Sequence, residues 1–187
     1  MNNDDLIGER SGLKTFRALV RILFGLVWVV DAAFKWSPVF FREISSMVNG
    51  AMLGQNEIAM PWFMYWGKIV SSYSFQFALF VAVVESLIAI SVLFGVAKKL
   101  GYVGGALFSL LLWTIPDGFG GPYVPGSTDI GASIIYVFVF ALLLLVDATL
   151  GSDRFSMDYY LERKISWWKN LAVTGSKPIQ HTQKYTQ

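Results

Sequence analysis

Trp113-Thr-Ile-Pro-Asp117-Gly-Phe-Gly-Gly-Pro-Tyr123-Val-Pro-Gly-Ser-Thr-Asp129-Ile-Gly131 separates two long apolar runs in a chain of 187 residues. One run ends at Trp113 and the next opens at Asp129. The glycines and prolines between them cannot continue a helix, and together they specify a compact, bent turn. The stretch holds Asp117 and Asp129 but no lysine or arginine. Apolar runs of this length suit a membrane, so the loop is expected at the lip of a helix bundle. Either aspartate there is a candidate for chemistry, and equally a candidate for capping a helix.

The composition agrees with a membrane setting. Hydrophobic residues make up 55% of the chain and charged residues only 15%, which fits a small polytopic membrane protein better than a soluble domain. The absence of cysteine excludes disulfides, thiolate metal sites and iron–sulfur clusters within this chain. The single histidine, His181, lies in a polar tail, so no metal site and no bis-histidine haem is expected. A formal charge of +2 is too small to point to nucleic acid. No cleavable signal peptide is expected, because the polar start runs into a long span without a small-residue cleavage pattern.

Working outward from the loop, the sequence predicts an all-α fold with four transmembrane helices at about 16–36, 69–97, 101–116 and 129–146. A polar segment, 1–14, precedes the transmembrane domain, 15–147, and an amphipathic helix with a polar tail, 148–187, follows it. Arg17 and Arg21 are expected to snorkel to headgroups at one end of the first span. Asp31 and Lys35 share a helix face at the other end and can pair. Ser37-Pro38 reads as an N-cap and first helical position, opening a short amphipathic helix with Phe40, Ile44 and Val48 on its apolar side. Pro61-Trp62-Phe63-Met64-Tyr65-Trp66 has the character of an interfacial aromatic belt. Lys98-Lys99 closes the second span, with a tight turn at Gly101. In the tail, Ser152-Asp153 is expected to cap a helix with an apolar stripe of Met157, Leu161, Ile165, Trp168 and Ala172, lying on the membrane surface. Residues from Thr174 onward are expected to be disordered.

Lysines and arginines set the orientation. All but Lys35, Arg42 and Lys68 fall on the side of the two termini, so both termini are predicted to be cytoplasmic. The Trp113–Asp129 loop and residues 37–69 then face outward together.

Ionisable residues at membrane depth are functional candidates by default. Glu85, near the middle of the second span, either takes part in chemistry or is a neutral acid bonded to a neighbouring helix. Asp31, Lys35, Asp117 and Asp129 all fall at outer span ends, where a bundle can gather them. A carboxylate cluster beside a lysine suits proton exchange with a two-electron, two-proton carrier such as a quinone. Trp28, Trp113 and Tyr123 can supply flat apolar walls for its headgroup; Trp36 reads better as an interface anchor. Lys35, Arg42 and Lys68 are the outward cations available to a small anionic substrate.

These residues resemble the DoxX/DoxD membrane family. Arg21…Gly25…Lys35 is similar to its first span, and Glu85 with Leu87…Ile90…Leu93-Phe94-Gly95 to its second. Gly121-Pro-Tyr123…Gly-Ser-Thr-Asp129-Ile-Gly131 resembles the outer loop and last span of the DoxD branch. The likeness covers roughly residues 17–147. It implies the membrane subunit of a thiosulfate:quinone oxidoreductase, working with a small outward-facing DoxA partner. Such an enzyme oxidises two thiosulfates to tetrathionate outside the cell and passes two electrons to membrane quinone. Asp31 departs from the small residue expected there, leaving open whether Lys35 is free or neutralised. The alternative is a non-catalytic accessory or scaffold subunit of a membrane respiratory complex, with other respiratory subunits or a second copy as partner. A small transporter fits less well, since no inverted repeat or matched pair of broken spans is visible.

Overall fold

The computed structural model describes residues 3–121, 130–151 and 153–172, with side chains from residue 12 onward. The described residues are helical, with no strand among them. The order is α1 (Asn3–Lys35), α2 (Pro38–Gly50), α3 (Met60–Ser72), α4 (Ser74–Phe94), α5 (Lys98–Thr114), α6 (Ala132–Leu150) and α7 (Met157–Lys164). Short 3-10 turns follow at Gly118–Gly120 and Ser166–Asn170. α1 therefore begins well before the expected first span and takes in most of the segment read as a separate polar arm.

α1 and α4 pack antiparallel, as do α5 and α6, and α1 meets α6 through rings. Arg21 of α1 donates to the carbonyls of Val92 and Leu93 near the end of α4, while Lys35 lies beside Glu85 earlier in α4. Close approach of the two backbones depends on Gly25: a Cβ there would stand 2.6 Å from the Leu93 Cα. Gly25→Ala is therefore expected to force α1 and α4 apart at a cost of about 1–3 kcal/mol, read as a lower melting temperature in detergent. An unchanged melt would show that this crossing yields freely.

The second expected span is two helices. Tyr73, with extended φ of −132° and ψ of 42°, separates α3 from α4. The Ser71-Ser72-Tyr73-Ser74 run carries neither glycine nor proline to announce that bend. α2 forms as expected: the Ser37 hydroxyl accepts the Phe40 N–H, Pro38 opens the helix, and Phe40, Ile44 and Val48 are its buried face. It packs on α3 and α4. The turn between α4 and α5 lies at Gly95–Ala97, not at Gly101, which is inside α5. Gly95 takes the left-handed conformation that ends α4.

α4 and α6 are each long and apolar enough to cross a membrane. Large apolar side chains point outward along the four bundle helices: Leu19, Leu23, Val30 and Phe34 on α1, and Leu87 and Ile90 on α4. Leu107 on α5 and Phe138, Leu142 and Leu145 on α6 do the same. The charges Arg17, Arg21, Glu85, Lys98, Asp147, Asp153 and Asp158 are all buried. Between the polar ends sits an aromatic middle, where Phe140 touches Phe24, Trp28 and Tyr102.

The tail departs most from expectation. α7 stops at Lys164, Ile165 is extended, and the predicted continuous stripe is broken there. Ser156, not Ser152-Asp153, precedes α7, and Ser152 lies outside the described residues, as do those from 173 onward. The segment is also fastened to the bundle end. The Asp158 carboxylate accepts the backbone N–H groups of Ala97 (2.7 Å) and Lys98 (2.9 Å) and the Trp168 indole N–H (2.8 Å). A carboxylate at the start of α5 satisfies two otherwise orphaned donors and meets the positive helix end. Trp168 thus tethers the segment to the bundle end. Asp158→Ala is expected to release the segment, so limited trypsin digestion at Arg163, Lys164 or Lys169 accelerates severalfold. An unaltered cleavage rate would mean that other contacts hold it.

Candidate functional site

α1 turns Trp28, Asp31 and Lys35 onto one side, because residues three and four apart stack on a helix face. The Lys35 ammonium donates to Asp31 Oδ1 at 2.9 Å and stands 3.4 Å from Glu85 Oε2 of α4. It also lies 5.6 Å from the centre of the Phe40 ring. Side-chain exposure rises across this trio, from 0% at Glu85 to 20% at Lys35 and 36% at Asp31. The result is a file of ionisable groups running from the interior to the rim. Asp31 therefore neutralises Lys35 in part, and the lysine is shared between two carboxylates.

Glu85 is sealed from solvent, yet neither of its oxygens has a well-formed hydrogen bond within the described residues. The buried Trp28 indole N–H is likewise without a partner there. Buried polar groups in this state have hydrogen-bonding capacity left for a molecule in the site. Trp28 belongs to an aromatic group, its ring 5.8 Å from Tyr136 and 5.4 Å from Phe140, centre to centre. Tyr136 of α6 is within electrostatic reach of Asp31, Lys35, Glu85 and Asp117. The sequence reading missed Tyr136, since one tyrosine in an apolar run carries no spacing signal.

The other expected residues do not pair with this trio among the described residues. Trp113 donates its indole N–H to the Ile130 carbonyl at 2.8 Å and packs edge-on against Phe119, joining the end of α5 to the residues just before α6. Asp117 Oδ2 accepts the Ser133 N–H at 3.4 Å, a long bond in the first turn of α6, which is the capping role. Asp129 and Tyr123 lie outside the described residues. Arg42 and Lys68 are exposed on α2 and α3, and the ion pairs at this end join only Lys35, Asp31 and Glu85 among the described residues. The Trp36 indole donates to Ser86 Oγ at 3.0 Å, tying α1 to α4.

A second polar cluster occupies the opposite end. Asp147 of α6 receives Arg17 at 3.1 Å, Lys98 at 2.7 Å and the Tyr102 hydroxyl at 3.3 Å. Asp153 lies 3.6 Å from Arg17, 3.7 Å from Lys98 and 3.9 Å from Arg21. Arg17 and Arg21 therefore do not snorkel: their guanidinium groups turn inward and join α1, α5, α6 and the start of the tail. Arg21 also donates to the Phe155 carbonyl at 3.0 Å.

The Glu85 end gathers two acids and a lysine between the interior and the rim. The Asp147 end is a buried ion-pair cluster, in which Arg17, the Lys98 ammonium, Asp147 Oδ1 and Asp153 Oδ2 likewise lack well-formed hydrogen bonds among the described residues. Among the described residues no group of histidine, aspartate or glutamate side chains is arranged to hold a metal ion. Comparison with protein-family models, curated proteins and solved structures returned no match.

Proposed function

We propose that this chain is the quinone-reactive membrane subunit of an oxidoreductase, with α1, α4, α5 and α6 as four transmembrane helices and both termini cytoplasmic. The outward apolar side chains and inward charges support the four spans, because this distribution suits lipid and would be costly in water. The observation that carries the reaction class is the graded file Asp31–Lys35–Glu85 beside Trp28 and Tyr136.

Quinone reduction takes two electrons and two protons. In this reading the headgroup lies against Trp28 and Tyr136, Glu85 holds a proton at the buried end, and Asp31 renews it from the surface through Lys35. The low-dielectric surroundings of Glu85 strengthen its interaction with a polar headgroup oxygen. The likeness to DoxD supplies the donor: two thiosulfates join through a new S–S bond as tetrathionate, releasing the two electrons that reduce the quinone. Lys35 and the exposed Arg42 and Lys68 are the cations offered to the sulfur anions, with a small DoxA-like partner on that face. Leu53 and Ile58, exposed between α2 and α3, offer that partner apolar contacts. The same protruding pair favours the second reading, an accessory subunit that only docks other proteins.

The deciding experiment is reduction of a water-soluble quinone analogue by the purified membrane complex, with thiosulfate as donor and co-purifying chains identified by mass. Tetrathionate formed in step with quinol supports the proposal. No thiosulfate-dependent reduction, with respiratory subunits stably bound, makes the chain an accessory subunit.

A further inference from the structure

The tail sorts its charges by direction. Across residues 153–172, Arg154, Arg163, Lys164 and Lys169 are exposed, while Asp153 and Asp158 are buried in the contacts above and Glu162 is half-buried. No carboxylate is exposed among these described residues. Phe155, Met157, Tyr160 and Trp167 are exposed alongside the cations. Two of the cations are held near rings: Arg163 stacks 3.8 Å from the Tyr159 ring centre, and Arg154 lies 5.1 Å from that of Phe155.

We propose that this face binds the headgroups of anionic phospholipids. The inference rests on the four-span membrane reading but not on the quinone chemistry. Charge complementarity is one argument, since an outward surface with four cations and no exposed acid attracts phosphate-bearing surfaces. Continuity is the other. Asp158 bonds to the Gly95 carbonyl and Leu171 accepts from Lys99, which sets the segment beside Phe94 and Leu100, both outward-facing at the ends of α4 and α5. The rings and stems of the tail thus extend the apolar exterior of the bundle at headgroup depth, where amphipathic aromatic and basic side chains are favoured. Burial of Asp153 and Asp158 has a functional consequence: it removes the charges that would repel an anionic surface.

The test uses the full chain purified in detergent and titrated with phosphatidylglycerol or phosphatidylcholine. Melting temperature and lipid retained in native mass spectrometry are the readouts. Phosphatidylglycerol is expected to bind preferentially and to lose its advantage in high salt. Each exposed cation replaced by glutamine (R154Q, R163Q, K164Q, K169Q) is expected to weaken that binding about fivefold. The four substitutions combined should abolish the preference; K164Q and K169Q serve as single variants should that combination fold poorly, and R154K with R163K should retain the preference. Equal binding of the two lipids, or a preference indifferent to all four substitutions, overturns the proposal. So does capture of an acidic protein by this face without any lipid preference.

Discussion

Asp147→Asn is expected to destabilise the fold by about 3 kcal/mol or more, because it leaves Arg17 and Lys98 buried without their nearest anion. For a chain of this size that corresponds to a melting temperature roughly 6–12 °C lower. The argument rests on burial. Exposed ion pairs contribute little, whereas removing one partner of a sealed pair abandons a charge in a medium that solvates it poorly. Lys98 is 0% exposed and Asp147 1%, so neither can turn to water without opening the bundle. The double variant Lys98→Met with Asp147→Leu separates loss of attraction from stranded charge. It is expected to recover much of the lost stability, since an apolar pair of similar bulk carries no desolvation cost, although Arg17 keeps only Asp153. A single Asp147→Asn variant that melts like the native protein would show that the cluster does not hold α1, α5 and α6 together.

The same cluster marks where sequence reading stops. Arg17 and Arg21 near the start of a helix read as headgroup contacts, since their partners Asp147 and Asp153 lie more than a hundred residues away. Lys98-Lys99 read alike, as the pair that closes the second span, yet one of these lysines is buried and the other exposed; only the packing of α5 against α6 distinguishes them. Two local signals were dependable, although the Gly101 turn and the Ser152-Asp153 cap were not. Ser37-Pro38 announced α2 because capping acts within three residues, and Asp31 with Lys35 announced a pair because helix spacing alone brings them together. Glu85 stood out as an acid in an apolar run, but its alignment with Lys35 required the antiparallel register of α1 and α4. The tail's single long helix failed for a related reason. Its apolar spacing ran on past Lys164, while Asp158 and Trp168, distant from Ala97 and Lys98 in sequence, fold the segment onto the bundle end.

Glu85→Gln is expected to slow quinone reduction by about a hundredfold or more while leaving the fold intact, the scale associated with loss of a positioned general acid or base. Glutamine keeps the shape and an acceptor oxygen but cannot deliver a proton. Lys35 retains Asp31 at 2.9 Å, so its charge is not stranded and the α1–α4 contact persists. Two controls separate chemistry from structure. Asp31→Asn, at the exposed rim, should slow turnover less than Glu85→Gln, because water reaches that position directly. Lys35→Met should impair both stability and turnover, since it removes the ion pair between α1 and α4 and the group that links Asp31 to Glu85, whose sealed acid then keeps its proton. Native-like melting with collapsed turnover in Glu85→Gln would place the buried acid in proton delivery. Unchanged turnover would remove Glu85 from the mechanism and leave the Lys35 pair as a fastening between α1 and α4. The comparison of the three variants carries the inference, because a purely structural role predicts that activity tracks melting temperature, whereas a proton file predicts that activity tracks distance from solvent.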